Sequence, residues 1–134
     1  MIVSEFNLIA YLYIPGKFTP LAERVAMRDP DWMAPQVWKN EFVNILATTL
    51  RKNEISMGAA LAALSQAEKR VIRYTELDPI AVLKSSVETK IATYDCEYVD
   101  LARKRGLKVV TGDKEMQKKF KDVVVSLEAF AEGI

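Results

Sequence analysis

With 134 residues, half of them apolar, and a formal net charge of +1, the chain is expected to form one globular domain, 1–134, with a sizeable core. This composition excludes a disordered chain, and the near-balance of charge excludes a globally basic nucleic-acid binder, so only a local patch could attract phosphate. There is no histidine and a single cysteine, Cys96, which excludes histidine catalysis and an intrachain disulfide and fits a reducing cytoplasm.

The opening MIVSEFNLIAYLYIPG is apolar, but Glu5 interrupts it and Pro15-Gly16 closes it. It lacks a basic leader region and a cleavage signal, so it reads as a strand and turn rather than a signal peptide. Ile2 to Glu5 is the predicted first strand, followed by a helical turn from Leu8 to Tyr11. Thr19-Pro20 places an N-cap and a first-turn proline at the start of a helix that runs to about Arg28 and stops at Asp29-Pro30. Trp32 to Ala34 is a minimal strand. Pro35 opens a long helix with Val37, Trp38, Phe42, Ile45, Leu46 and Leu50 at helical spacing.

Ser56 caps the next helix, whose apolar side includes Met57, Ala60, Leu61, Leu64 and Val71; Arg73 to Thr75 is extended. Asp78-Pro79 begins a helix with Ile80, Leu83 and Val87 on one side. Thr93 caps the helix TYDCEYVDLARKR, and Gly106 ends it. Leu107 to Thr111 is a strand, Asp113 to about Phe120 a short helix, and Val123 to Val125 a last strand before a terminal helical turn. No apolar run reaches the ~20 residues of a membrane span. Short, continuously apolar strands alternating with helices predict a three-layer α/β/α domain around a short, mainly parallel sheet.

In such folds ligands gather at the carboxyl ends of the strands. Glu5 ends the first strand and Asp113 follows the strand that closes at Thr111, so both belong to one rim. Glu41 lies between Trp38 and Ile45 on the long helix, beside its apolar stripe. Asp95 stands in the first turn of its helix, in line with Ile91, Tyr98, Val99 and Ala102. A carboxylate turned towards a core is costly unless paired or bound to a metal. Taken singly, Asp95 also reads as a helix-start acid, Asp113 as a helix cap and Glu41 as a salt-bridge member. Glu5 is the hardest to read in such ordinary terms, because acids are disfavoured in buried strands. With no other chemical groups at hand, clustered carboxylates point to a hard divalent cation.

Four motifs carry a resemblance across nearly the whole chain. They are Val3-Ser4-Glu5-Phe6-Asn7 at the first strand end, Trp38-Lys39-Asn40-Glu41-Phe42, Thr93-Tyr94-Asp95-Cys96-Glu97-Tyr98, and Val110-Thr111-Gly112-Asp113. In order and spacing the chain resembles the PIN-domain nucleases, in particular the VapC-like toxins of bacterial and archaeal toxin–antitoxin pairs. Three positions depart from the family pattern. Glu5 replaces an aspartate, Phe6 replaces a threonine or serine, and Met116 stands where some relatives carry a further aspartate.

The resemblance implies a PIN-like fold and metal-dependent hydrolysis of RNA phosphodiester bonds, leaving a 5′-phosphate. Glu5, Glu41, Asp95 and Asp113 would hold one or two Mg²⁺ or Mn²⁺ ions as catalytic and metal-ligating residues. Asn7 and Thr111 would orient the ligand carboxylates, or serve as turn and cap residues. A cognate antitoxin and a homodimer are the implied partners, with Met57 to Leu64 either an interface or a buried helix. Arg103, Lys104, Arg105 and Lys108, with Lys114, Lys118, Lys119 and Lys121, could guide RNA or form solvated helix faces. Tyr11, Tyr13 and Phe18 could stack on bases or pack in the core. The competing expectations are a PIN-fold module that binds antitoxin or RNA without efficient cleavage because of Glu5, and a PIN nuclease outside toxin–antitoxin systems.

Overall fold

The computed structural model describes residues 1–133; Ile134, included in the expected domain, lies outside the described residues. Five strands form one all-parallel sheet: β1 (Ile2–Ser4), β2 (Trp32–Pro35), β3 (Val71–Tyr74), β4 (Val109–Thr111) and β5 (Val124–Ser126), in spatial order β3-β2-β1-β4-β5. Val3 is the hub of the register, facing Met33 on one side and Val109 on the other. β1, β2 and β4 are buried along their whole length, which is why they read as unbroken apolar runs rather than alternating ones.

Eight helices complete the described residues: α1 (Phe6–Tyr13), α2 (Thr19–Arg28), α3 (Val37–Arg51), α4 (Met57–Arg70), α5 (Pro79–Thr89), α6 (Thr93–Arg105), α7 (Lys114–Lys119) and α8 (Leu127–Ala131). α1, α3 and α4 pack on one another, α2 packs on α1 and α8, and α6 crosses β1, β2 and β4 with α5 on its outer side. The result is a three-layer α/β/α arrangement. Its core is filled by Trp32, Trp38, Phe42, Tyr98, Leu8 and Ile9, all essentially inaccessible.

Several boundaries differ from those predicted, each for a local reason. The turn expected at Leu8 is a full helix, because the Glu5 side chain caps it by accepting from the Asn7 backbone N–H. Thr19 is not a cap but the first helical residue, and its hydroxyl donates to the Tyr11 carbonyl instead. Thr93 likewise lies inside its helix, after Ala92. Pro35 closes β2 rather than opening α3; it occupies the edge of the Ala34–Arg73, Pro35–Tyr74 pairing. Val71 leaves the helix and begins β3.

The apolar sides read on α4 and α5 face largely outward. On α5 only Val82 is buried, while Ile80, Leu83 and Val87 are mostly exposed. α5 rests on α6 rather than on the sheet, so its apolar stripe lies on the outer surface. On α4 the buried residues are Ala60, Ala63 and Ala67, and Met57 and Leu61 face outward. The small alanines let α4 approach α1 and α3 closely, which leaves the larger side chains outside. No helix among the described residues is long and apolar enough to cross a membrane.

Candidate metal centre

β1 sits between β2 and β4, and the chain leaves it first towards β2 and β3, then returns to β4 on its other side. That reversal creates a crevice at the carboxyl ends of β1 and β4, where parallel α/β sheets accommodate ligands. Glu5 enters from the end of β1, Glu41 from the middle of α3 and Asp95 from the first turn of α6. These three carboxylates each present an oxygen within 4.8 Å of the other two.

Asp113 is placed differently. Its Oδ1 accepts from the Met116 backbone N–H at 3.1 Å, capping α7. It does not belong to the group of three, but it stands close enough for its charge to raise the pKa of Asp95.

The electrostatics of the cluster are those of carboxyl groups held together with their negative charge uncompensated. Glu5 is 3% exposed, and burial is the main cause that pushes its pKa from 4.5 to about 8, with the charges of Glu41 and Asp95 adding to it. Burial also raises Glu41, and Asp95 and Glu97 act in the same direction on it. Asp95 is raised first by burial and then by Asp113. No lysine or arginine is ion-paired with any of the three among the described residues. A divalent cation is the group that would offset this charge, and carboxylate oxygens are the donors that Mg²⁺ and Mn²⁺ take. The residues therefore fit such an ion.

The surrounding hydrogen bonds fix the orientation of two of the acids. Glu5 Oε2 accepts from the Asn7 backbone N–H at 2.8 Å and from the Thr111 hydroxyl at 3.2 Å. The Thr111 oxygen in turn accepts from the Asn7 side-chain amide at 3.2 Å and from the Asp113 N–H at 3.0 Å. Asn7 Oδ1 accepts from the Gly112 N–H at 3.0 Å. The longer glutamate chain thus folds back over the start of α1, and one of its oxygens is saturated. Tyr98, fully buried, donates to Glu41 Oε1 at 2.8 Å, a bond that favours the ionised carboxylate. The sequence places Tyr98 in line with Asp95 and in the same motif, without assigning it a partner. Its position three residues after Asp95, on the same face of α6, is the signal that could have assigned it. Ser4 Oγ and Trp38 Nε1 are buried without a hydrogen-bond partner among the described residues; they lie on the segments that carry Glu5 and Glu41.

The basic residues divide into two sets. Asp95 and Arg103 are eight positions apart on α6, a rise of about 12 Å. Arg103, Lys104 and Arg105 therefore stand at the far end of α6 from the cluster, with Lys108 just beyond it. Arg103 pairs with Asp122, Lys104 with Asp78 and Asp100, Lys108 donates to the Asp122 carbonyl, and Arg105 lies over Tyr74. Lys114 follows Asp113 directly and is exposed at the rim, with Lys118 and Lys119 further along α7. Tyr13 accepts from Arg70 and is placed away from this rim, whereas Tyr11 and Phe18 pack together beside Gly112.

No protein-family profile matches the chain, and no curated protein matches its sequence. The fold is shared with a solved structure, that of PAE2754 from Pyrobaculum aerophilum, with a TM-score of 0.78 and 20% identity over 98% of this chain and 86% of that one. At that identity the likeness extends to the architecture.

Two outcomes follow from this geometry. Glu5 is ordinarily half-ionised near pH 4.5 but folds with a pKa of about 8. The stability associated with its neutral form is complete below pH 4.5 and is lost as pH rises through 8. Metal-free protein should lose on the order of a few kcal/mol between these limits, and Glu5→Gln should flatten the loss; urea titrations at pH 5 and pH 8 with chelator measure it. Tyr98→Phe removes the donor that orients Glu41. It should weaken Mn²⁺ binding about tenfold or more, read by calorimetric titration.

Proposed function

We propose that this chain is a divalent-metal-dependent ribonuclease of the PIN type, the toxin component of a toxin–antitoxin pair. The observation that carries the reading is the convergence of Glu5, Glu41 and Asp95, from three separate elements, onto one point at the switch of the sheet. These residues would hold Mg²⁺ or Mn²⁺, with Asp113 beside Asp95. When bound, the ion supplies an activated water near neutral pH and stabilises charge developing on the phosphate.

The chain's own contribution is positional. Thr111 and the Asn7 backbone fix Glu5, and Tyr98 orients Glu41 and partly opposes the upward shift that burial gives it. Lys114, at the rim, attracts the RNA backbone. No protein nucleophile is required, which agrees with a chain lacking histidine and with its one cysteine buried. The exposed apolar stripes of α4 and α5 support the partner side of the reading, a homodimer and an antitoxin. A mass of one chain by light scattering at micromolar concentration would remove the homodimer from it.

A second reading is favoured by one specific feature. Glu5 Oε2 is occupied by the Asn7 N–H and the Thr111 hydroxyl, and displacement of a ligand by ~1 Å can cost about a hundredfold in rate. On this reading the protein binds antitoxin or RNA and cleaves poorly.

Labelled single-stranded RNA incubated with Mn²⁺ separates the two. The first reading expects cleavage that chelator abolishes and that Asp95→Asn reduces at least a hundredfold. Cleavage by Glu5→Asp alone would establish the second. Cleavage indifferent to both chelator and Asp95→Asn would dismiss the metal site altogether.

A further inference from the structure

A second concavity opens beside the acidic cluster, on the β4–β5 side of the rim. It encloses about 240 Å³ and is walled by Tyr11, Phe18 and Leu127, with Gly112 beneath and Lys114 and Gln117 at its edge. That is less than the ~300–1,000 Å³ of a pocket for a drug-sized ligand; it suits a single flat ring system. Tyr11 and Phe18 stand with ring centroids 4.8 Å apart, tilted by 37°, and Lys17 lies 5.0 Å from the Phe18 ring centre. Neither Lys17 nor Lys114 is ion-paired among the described residues.

The cleft is joined to the acidic cluster through the backbone. Gly112 lies between Thr111, whose hydroxyl donates to Glu5, and Asp113. A side chain at Gly112 would come within 3.2 Å of the Tyr11 hydroxyl and 3.3 Å of its ring, so the bare glycine is what lets the Tyr11 ring lie against the strand end. Asn7 and Tyr11, one turn apart on α1, thus face the cluster and the cleft respectively. The Gln117 side-chain amide donates to the Thr111 carbonyl at 2.9 Å, which leaves its oxygen available at the cleft edge, and Glu128 supplies a second acceptor there.

We propose that this cleft receives a nucleobase of the RNA strand next to the phosphate held at the acidic cluster. The proposal rests on the ribonuclease reading and names a subsite for it. An aromatic wall accepts the face of any base, acceptors at the edge meet ring N–H and amine groups, and the unpaired Lys114 at its edge, with Lys17 beside Phe18, meets the adjoining phosphates. An apolar peptide side chain would use the wall but leave both lysines and both acceptors without a role.

The test uses adenosine 5′-monophosphate, with ribose 5-phosphate as the arm that lacks the base, in chelator and followed by backbone amide NMR shifts. Adenosine monophosphate should shift Gly112, Lys114 and Leu127 saturably, and ribose 5-phosphate should not. Phe18→Ala should weaken the nucleotide about tenfold, and Phe18→Trp should restore it. Phe18 is 38% exposed, so its truncation leaves the fold intact. Equal shifts from ribose 5-phosphate would mean a phosphate site and overturn the proposal, as would unchanged affinity in Phe18→Ala or shifts mapping elsewhere. The readout is independent of cleavage. RNA cut by a protein whose cleft ignores the nucleotide sinks the subsite alone, whereas nucleotide bound in the cleft of a protein that never cuts supports the subsite and sinks the nuclease.

Discussion

Gathering negative charge in a confined place is the constraint around which this structure is organised. Glu5, Glu41 and Asp95 come from β1, α3 and α6, and each is made harder to ionise by its burial and by its neighbours. Hydrophobic packing would by itself keep such groups apart or leave them in water. Instead the sheet places β1 centrally, α3 and α6 deliver their acids to the same rim, and neutral donors rather than cations hold them in place. Thr111, the Asn7 N–H and Tyr98 can orient a carboxylate without cancelling its charge. A salt bridge would have satisfied the acids and closed the site to a metal.

The same network ties fold and site together. The Thr111 oxygen links Glu5, Asn7 and Asp113, so the ends of β1 and β4 and the starts of α1 and α7 are held by one hydroxyl. Glu5 therefore has two roles, as the cap of α1 and as a member of the acidic cluster. That dual use is also what gives the poorly cleaving reading its physical basis. Asp113 shows the complementary case, with one oxygen committed to the N–H of Met116 while its charge still acts on Asp95.

The outer surface reflects how the helices reach the core. α4 enters on alanines and α5 leans on α6, so both leave leucine, isoleucine, valine or methionine outside. The basic residues follow a similar logic of position. Those at the end of α6 are engaged with Asp78, Asp100 and Asp122 or with Tyr74, and Lys114 is left at the rim without an ion pair among the described residues. Proximity along the sequence to Asp95 was a poor guide, because eight helical positions already carry Arg103 about 12 Å along the axis from it.

Local signals determined much of this protein. Apolar runs of strand length, Asp78 and Ser56 as caps, Gly106 at a left-handed helix end and the lone acids at strand ends were all readable, because each expresses a short-range preference of backbone or solvation. Periodicity also found the stripes of α4 and α5, but it could not say which way they faced, since a helical stripe is the same whether a sheet or solvent lies opposite. Only the tertiary structure decided that Tyr98 donates to Glu41, that Glu5 folds back onto Thr111 from 106 positions away, and that Asp113 stands beside the trio rather than within it. Those relations depend on distances between segments remote in sequence, which are set by strand order and helix packing and leave no periodic or compositional trace.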